Sequence, residues 1–250
     1  MVNVVTERWT SLSGVRIRYL DSRTDGDAEP GGQLPVLLSP GFTDFADEYA
    51  EVLAFFAPRR VIVVEVRGRG GSEAPFAGYT AGDHVADLRA VLDAEGIGHF
   101  HLLTFSRGTT WGLDLVISDP GRAATISIGD YWMAEHALDG SMAEQVMASR
   151  FRGRPMTERL PSHVAPALFG ASRDRDLRAA VAATGLPVLV ATGTEAGCLL
   201  TREYLDELSD VVPGMEVVVI DRAAHDLFRP DRLAYPRAVR EFIERRAPAT

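Results

Sequence analysis

Short runs of apolar, mostly β-branched residues recur along the chain, and the stretches between them keep helical spacing. Val15-Arg16-Ile17-Arg18-Tyr19-Leu20 alternates apolar and basic positions, the period-2 mark of a half-buried strand. Residues 35–39, 61–65, 100–104, 124–129, 187–192 and 215–220 are further strand candidates. Val61-Ile62-Val63-Val64 is apolar throughout, as suits a strand covered on both faces of a parallel sheet. Residues 4–9 offer an antiparallel edge strand, for about eight strands in all.

Between them, residues 82–95 carry Val85, Leu88, Val91 and Leu92 at helical spacing, with Asp and Arg opposite. Residues 44–56, 109–118, 199–208 and 233–245 read the same way. Strands alternating with helices predict an α/β fold around a mostly parallel sheet. One stretch, 131–185, breaks the alternation. It shows no strand pattern, has helical spacing in places and contains Met133, Met142, Met147 and Met156. It is too long for a plain connection. The expected organisation is a core domain from 1–130 and 186–250, with a helical insertion at 131–185 over the strand ends. Residues 21–32 are polar and turn-rich and predict a surface loop.

Composition narrows the function classes. The 250 residues suit one large domain, and 46% hydrophobic with 24% charged is ordinary for a globular chain. No run of about 18 apolar residues occurs, so no membrane partner is expected. A net charge of −9 repels a phosphate backbone, which argues against nucleic acid. Every basic residue is Arg, which excludes a Lys Schiff base and a phosphate-loop Lys. Cys198 is the single cysteine, so neither an internal disulfide nor a cysteine cluster for a metal can form. Residues 1–10 lack the basic-then-apolar pattern of a signal peptide, so the expected location is cytoplasmic.

The most informative segment is Phe100-His-Leu-Leu-Thr-Phe-Ser106-Arg-Gly108-Thr-Thr-Trp111. An apolar strand runs into Ser106 and a helix of small residues follows. A serine on such a turn projects from the C-terminal end of the sheet, above the positive end of a helix. Gly108 meets the need for a small neighbour; Thr104 stands where G-x-S-x-G has its first Gly. By itself the segment also reads as an N-cap serine. Pro40-Gly41-Phe42 turns the chain after the strand at 35–39, and the N–H groups of Phe42 and Arg107 are candidates to hold an oxyanion. His225 lies just after the last candidate strand, at the same end of a parallel sheet as Ser106, and is the best-placed general base among the six histidines. His99-x-His101 lacks a third ligand, so no metal and no other cofactor is expected.

These segments resemble the α/β-hydrolase superfamily, and the resemblance covers nearly the whole chain. Ser39-Pro-Gly-Phe-Thr-Asp is similar to its oxyanion segment, with Pro40 where His is common. Glu65-Val-Arg67-Gly68-Arg-Gly70-Gly-Ser72 resembles the D-x-R-G-x-G-x-S loop. That loop lacks the third Gly of a dinucleotide fingerprint. Thr104-Phe-Ser106-Arg-Gly108 resembles the nucleophile elbow, and Ala224-His225 the terminal G-H. The insertion at 131–185 falls where the family places its cap. The resemblance implies an eight-stranded α/β-hydrolase fold with helices on both faces and a small helical cap.

The triad acid has two candidates. The resemblance points to the loop after residues 187–192, where the expected position is Ala196 and Glu195 stands one residue early. In other branches of the family the acid follows the preceding strand, where Asp130 stands. Tyr131 and Trp132 open the insertion and are candidates to line a substrate pocket. Arg107 either meets a substrate carboxylate or packs against the cap. The reading implied is a cofactor-independent serine hydrolase for a small apolar ester, lactone or thioester, acting as a monomer or homodimer. Open beside it stand C–C hydrolysis, a lyase or a cyclisation at the same site, and a hydrolase-like binding protein.

Overall fold

The computed structural model describes residues 5–23 and 32–246. In chain order the main elements are β1 (Thr6–Leu12), β2 (Val15–Asp21), β3 (Val36–Ser39), α1 (Ala50–Phe55), β4 (Val61–Glu65), α2 (Ala81–Ala94), β5 (Phe100–Phe105), α3 (Gly108–Ser118) and β6 (Ala123–Gly129). After them come α4 (Gly140–Ala148), α5 (Val164–Ala171), α6 (Arg178–Ala183), β7 (Val188–Gly193), α7 (Arg202–Val211), β8 (Glu216–Ile220) and α8 (Ala234–Arg246).

Among the described residues the central sheet has eight strands in the order β1-β2-β4-β3-β5-β6-β7-β8. β1 and β2 pair antiparallel, as do β2 and β4; every pairing from β4 through β3, β5, β6 and β7 to β8 is parallel. The expected edge strand is displaced from 4–9 to Thr6–Leu12, and Val4 lies outside the described residues. Its register is fixed by the hairpin to β2, whose turn places Ser13 and Gly14 at φ 50° and 84°. Two successive positive φ values match the strands' twist in a two-residue hairpin. Most of the expected surface loop at 21–32 lies outside the described residues, and Asp21 closes β2.

The residues of β3, β4 and β5 are all buried, which is why their sequences are apolar without alternation. α2, α3 and α7 cover one face of the sheet around Leu102, Ile126 and Trp111, while α1 and α8 cover the other around Leu38, Val63 and Phe242. Truncating one such core side chain, for example Leu102→Ala, costs about 2–5 kcal/mol.

The chain between β6 and β7 carries α4, α5 and α6. It also contains short strands that the sequence does not reveal: Ala134–Glu135 pairs with Arg175–Asp176, and Arg150–Phe151 with Arg154–Pro155. Strands of two residues are too short to leave a period-2 signature. The insertion meets loops at the carboxyl ends of the strands: Phe169 packs on Phe42, and His163 Nε2 lies 3.1 Å from the Ala74 carbonyl. β3 lies between β4 and β5, so the winding direction reverses at β3 and β5, and the loops after these two strands flank the crevice.

Candidate active site

Ser106 sits between β5 and α3 at φ 49°, a left-handed conformation that is strained for a residue with a side chain. The turn is held by Ser106 N–H donating to the Gly129 carbonyl at 3.0 Å and by Thr109 N–H donating to Ser106 O at 2.9 Å. Gly108 is obligatory: a Cβ there would lie 2.3 Å from the carbonyl oxygens of Ser39 and Pro40. The absent first glycine of the elbow has a structural counterpart. Thr104 is fully buried, its Oγ1 lies 2.9 Å from Thr109 Oγ1, and its methyl lies where a Cβ on Gly112 would come within 2.7 Å. The space that Thr104 takes up is thus vacated at Gly112, one turn into α3.

His225 follows β8 and is half-buried, with its ring stacked on Phe105 at 5.3 Å. Its Nε2 lies 3.0 Å from Ser106 Oγ and its Nδ1 lies 2.8 Å from Asp130 Oδ2. Asp130 directly follows β6 at φ 41°, is fully buried, and donates its N–H to the Ala191 carbonyl at 2.8 Å. Its carboxylate accepts Thr192 Oγ1–H at 2.9 Å, Leu199 N–H at 2.9 Å and Leu200 N–H at 3.3 Å. A carboxylate only accepts, so the Nδ1 that faces it carries the proton. Nε2 then presents its lone pair to the Ser106 hydroxyl. These bonds also explain why α7 begins at Arg202 rather than at the expected residue 199. The N–H groups of Leu199 and Leu200 turn to Asp130, and Thr201 caps the helix by accepting Tyr204 N–H at 3.2 Å.

Glu195 is not brought to His225. It lies on an exposed turn, where Thr194 Oγ1 donates to its carboxylate at 3.2 Å and its N–H donates to the Ala223 carbonyl at 2.9 Å. That backbone bond fixes the turn with the Glu195 side chain in solvent. Ala196, the position the family pattern suggests, is exposed as well.

The Gly41–Phe42 peptide is bracketed from one side. Asp44 N–H donates to Gly41 O at 3.2 Å, and Gly41 N–H donates to Asp44 Oδ2 at 3.0 Å. In a trans peptide the N–H points opposite the carbonyl, so Phe42 N–H faces away from Asp44. Among the described residues neither Phe42 N–H nor Arg107 N–H donates an internal hydrogen bond. The Arg107 side chain is engaged by the insertion: it donates to Ser172 Oγ at 2.7 Å and lies 3.6 Å from Glu135.

Tyr131 is buried and meets Trp132 edge-on at 5.3 Å. Trp132 lines a cavity of about 500 Å³ with His136, Tyr204 and Glu207, and neither Ser106 nor His225 lines it. His101, half of the suspected His-x-His pair, is buried in β5 with Nδ1 2.9 Å from Thr125 Oγ1, whereas His99 is exposed.

Two supporting side chains escape sequence reading. Arg69 is buried without a carboxylate partner among the described residues; its Nε donates to Phe42 O at 2.9 Å and its guanidinium lies over Trp111 at 4.8 Å. Burial pushes it down to about 9, and its Nη2 has no hydrogen-bond partner. His84 stacks on Trp111 at 4.2 Å, with Nδ1 2.8 Å from Thr80 O and Nε2 2.9 Å from Arg69 Nη1. Burial first and then the Arg69 charge hold His84 well below the usual histidine range, so it stays neutral and accepts from Arg69. Arg67-Gly68-Arg69 reads as a loop motif, and nothing local shows that Arg69 turns inward beneath the Phe42 loop.

Residues 35–127 match the family model described as alpha/beta hydrolase fold. Over 105 residues the chain is 33% identical to the carbamate hydrolase candidate RutD of Variovorax paradoxus (strain S110), covering 41% of this chain and 40% of that protein. The match therefore spans less than half the length of that relative. The esterase RhEst1 from Rhodococcus sp. ECU1013 superposes with a TM-score of 0.77 at 21% identity, over 97% of this chain and 99% of that one. The enol-lactonase from Burkholderia xenovorans LB400 gives 0.74 at 20% identity, over 95% of this chain and 100% of that one. At these identities the structural likeness speaks for the fold and leaves the chemistry to the site. Strand order, the turn at Ser106 and the match over residues 35–127 together show that this chain has the α/β-hydrolase fold.

Proposed function

We propose that the protein is a serine hydrolase with Ser106 as nucleophile, His225 as general base and Asp130 as the acid that orients it. The observation that carries this reading is the continuous Asp130–His225–Ser106 chain of contacts at 2.8 and 3.0 Å. Ser106 Oγ attacks a carbonyl carbon while His225 Nε2 takes its proton; Asp130 holds Nδ1–H and stabilises the imidazolium. The N–H groups of Phe42 and Arg107 receive the developing oxyanion. The imidazolium then protonates the leaving group, and water attacks the acyl-serine with His225 again as base.

The insertion at 131–185 acts as a cap over this centre, and its apolar contact of Phe169 with Phe42 favours a small apolar acyl group. The substrate class is an ester, lactone or thioester, in keeping with the esterase and enol-lactonase names of the structural relatives. The test is labelling by a fluorophosphonate, read by intact mass, on wild type and Ser106→Ala. One adduct on wild type and none on the variant is expected. An unlabelled but folded wild type overturns the reading and turns attention to non-covalent chemistry or to ligand binding.

A further inference from the structure

One side chain of the insertion reaches both halves of this centre at once. Arg152 sits at the tip of the ribbon formed by Arg150–Phe151 and Arg154–Pro155, at φ 46° and followed by Gly153 at φ 80°. A ribbon tip normally turns its charge to solvent, yet the Arg152 side chain is only 4% exposed. Its Nε and Nη2 grip Asp226 at 2.9 and 3.0 Å, and its Nη1 reaches Glu48 at 3.0 Å and Asp44 Oδ1 at 3.4 Å. The ring of Phe151 lies beneath the guanidinium at 4.9 Å.

Both carboxylates at the far ends of this grip hold catalytic backbone. Asp44 brackets the Gly41–Phe42 peptide and also accepts the Tyr49 hydroxyl. Asp226 follows His225 directly. Its carboxylate accepts Phe228 N–H at 3.3 Å, its carbonyl accepts Arg229 N–H at 2.9 Å, and Leu227 N–H closes onto His225 O at 3.0 Å. The Phe42 loop and the His225 loop come from opposite ends of the sequence, and Arg152 bridges them through paired carboxylates.

We propose that Arg152 is a positioning residue, which sets the Phe42 N–H and the His225 imidazole at their working separation when the ribbon is docked. The proposal rests on the serine-hydrolase reading above. Bidentate Arg–carboxylate pairs fix orientation as well as distance, which a single ammonium does not. Arg159 holds the remaining part of the cluster independently, with Nη2 2.7 Å from Glu48 Oε1 and Nη1 2.7 Å from Thr43 O. Losing Arg152 therefore leaves Asp44 without its cation and Asp226 with only the longer Arg229 contact at 3.6 Å, while Glu48 keeps Arg159.

The experiment compares wild type, Arg152→Met and Arg152→Lys in p-nitrophenyl butyrate turnover, fluorophosphonate inactivation rate and thermal unfolding. Misplacement of catalytic groups by about 1 Å costs up to about 100-fold. The expected result is a drop of about 10- to 100-fold in kcat and in inactivation rate for Arg152→Met, with KM changed less than about threefold. Arg152→Lys is expected to recover part of the loss. Asp226→Asn, which keeps an acceptor for Phe228 N–H but drops the charge, is expected to show the same kcat defect and decides the matter where Arg152→Met does not fold. A folded Arg152→Met with wild-type kcat and inactivation rate overturns the proposal. So does a change in KM alone, which marks a pocket residue, or a loss that tracks unfolding and disappears on cooling. A wild type that takes no label defeats the underlying reading instead, and is seen before any variant is made.

Discussion

The ends of β6 and β7 lie side by side in the sheet, and each is followed within two residues by a carboxylate, yet only one of them meets the histidine. At the end of β6, Asp130 turns inward at positive φ and is met by donors from Thr192, Leu199, Leu200 and His225. At the end of β7, Glu195 stands in water on a turn pinned to Ala223. The second strand still contributes. Thr192 belongs to β7, and Leu199 and Leu200 belong to the loop after it, so β7 supplies the donors that hold an acid carried by its neighbour. A buried carboxylate is tolerated where N–H and O–H groups converge on it. Such convergence is a property of the place, and a longer side chain one strand away does not replace it.

The largest expected effect tests that division directly. Asp130→Asn leaves the shape but no longer enforces the imidazole tautomer, so kcat should fall by about 10³- to 10⁴-fold. Steady-state hydrolysis of p-nitrophenyl butyrate measures it. A fall of less than tenfold breaks the comparison, because the acid would then come from elsewhere.

His101, toward the other end of β5 from Ser106, extends the contrast to histidines. Burial, then the charge of Arg59, pushes it down to about 4. Its unfolded value is about 6.5, so the unfolded chain binds a proton at a higher pH than the folded one does. The stabilisation it gives as a neutral group is complete above about pH 6.5 and is lost as the pH falls towards 4, by about 3 kcal/mol over the window. His84, also held neutral by burial, adds a loss of the same sign. Urea unfolding between pH 7 and 4 should show the decline, and His101→Gln should flatten part of it. A slope unchanged in that variant removes His101 from the account.

Gly193, the last residue of β7, sharpens the view that this strand end serves packing. A Cβ there would lie 2.0 Å from Ala223 O, in the loop that leads to His225. Gly193→Ala should therefore cost about 1–3 kcal/mol of stability and displace the histidine loop. Calorimetry together with the inactivation rate reports both effects. The smallest effect belongs to Glu195→Gln, whose turnover should stay within about twofold of wild type, as for an exposed substitution that leaves packing alone. A tenfold loss there would give Glu195 a role that its position does not explain.

Much of the fold is legible in the sequence because burial on both faces writes itself as uninterrupted apolar runs. Val61–Glu65 and Phe100–Phe105 lie where their composition puts them, within a residue. The meeting of Ser106 and His225 is likewise legible, since each stands just after a strand, and all parallel strands deliver such residues to one end. Thr104 departs from the elbow pattern locally, and Gly112, one turn into α3, restores the fit.

What the chain itself determined is the strand–helix order, the turn that carries Ser106 and the place of His225 just after a strand, because these depend on periodicity and on neighbours a few residues away. Which of Asp130 and Glu195 lies beside His225, the late start of α7 and the bridge made by Arg152 were decided only by tertiary structure. Each depends on backbone donors or carboxylates brought together from segments far apart: Leu199 with Asp130, and Asp44 with Asp226. Hydrogen-bond geometry is a relation between places in space, and a carboxylate's usefulness is set by what converges on it after the sheet has formed.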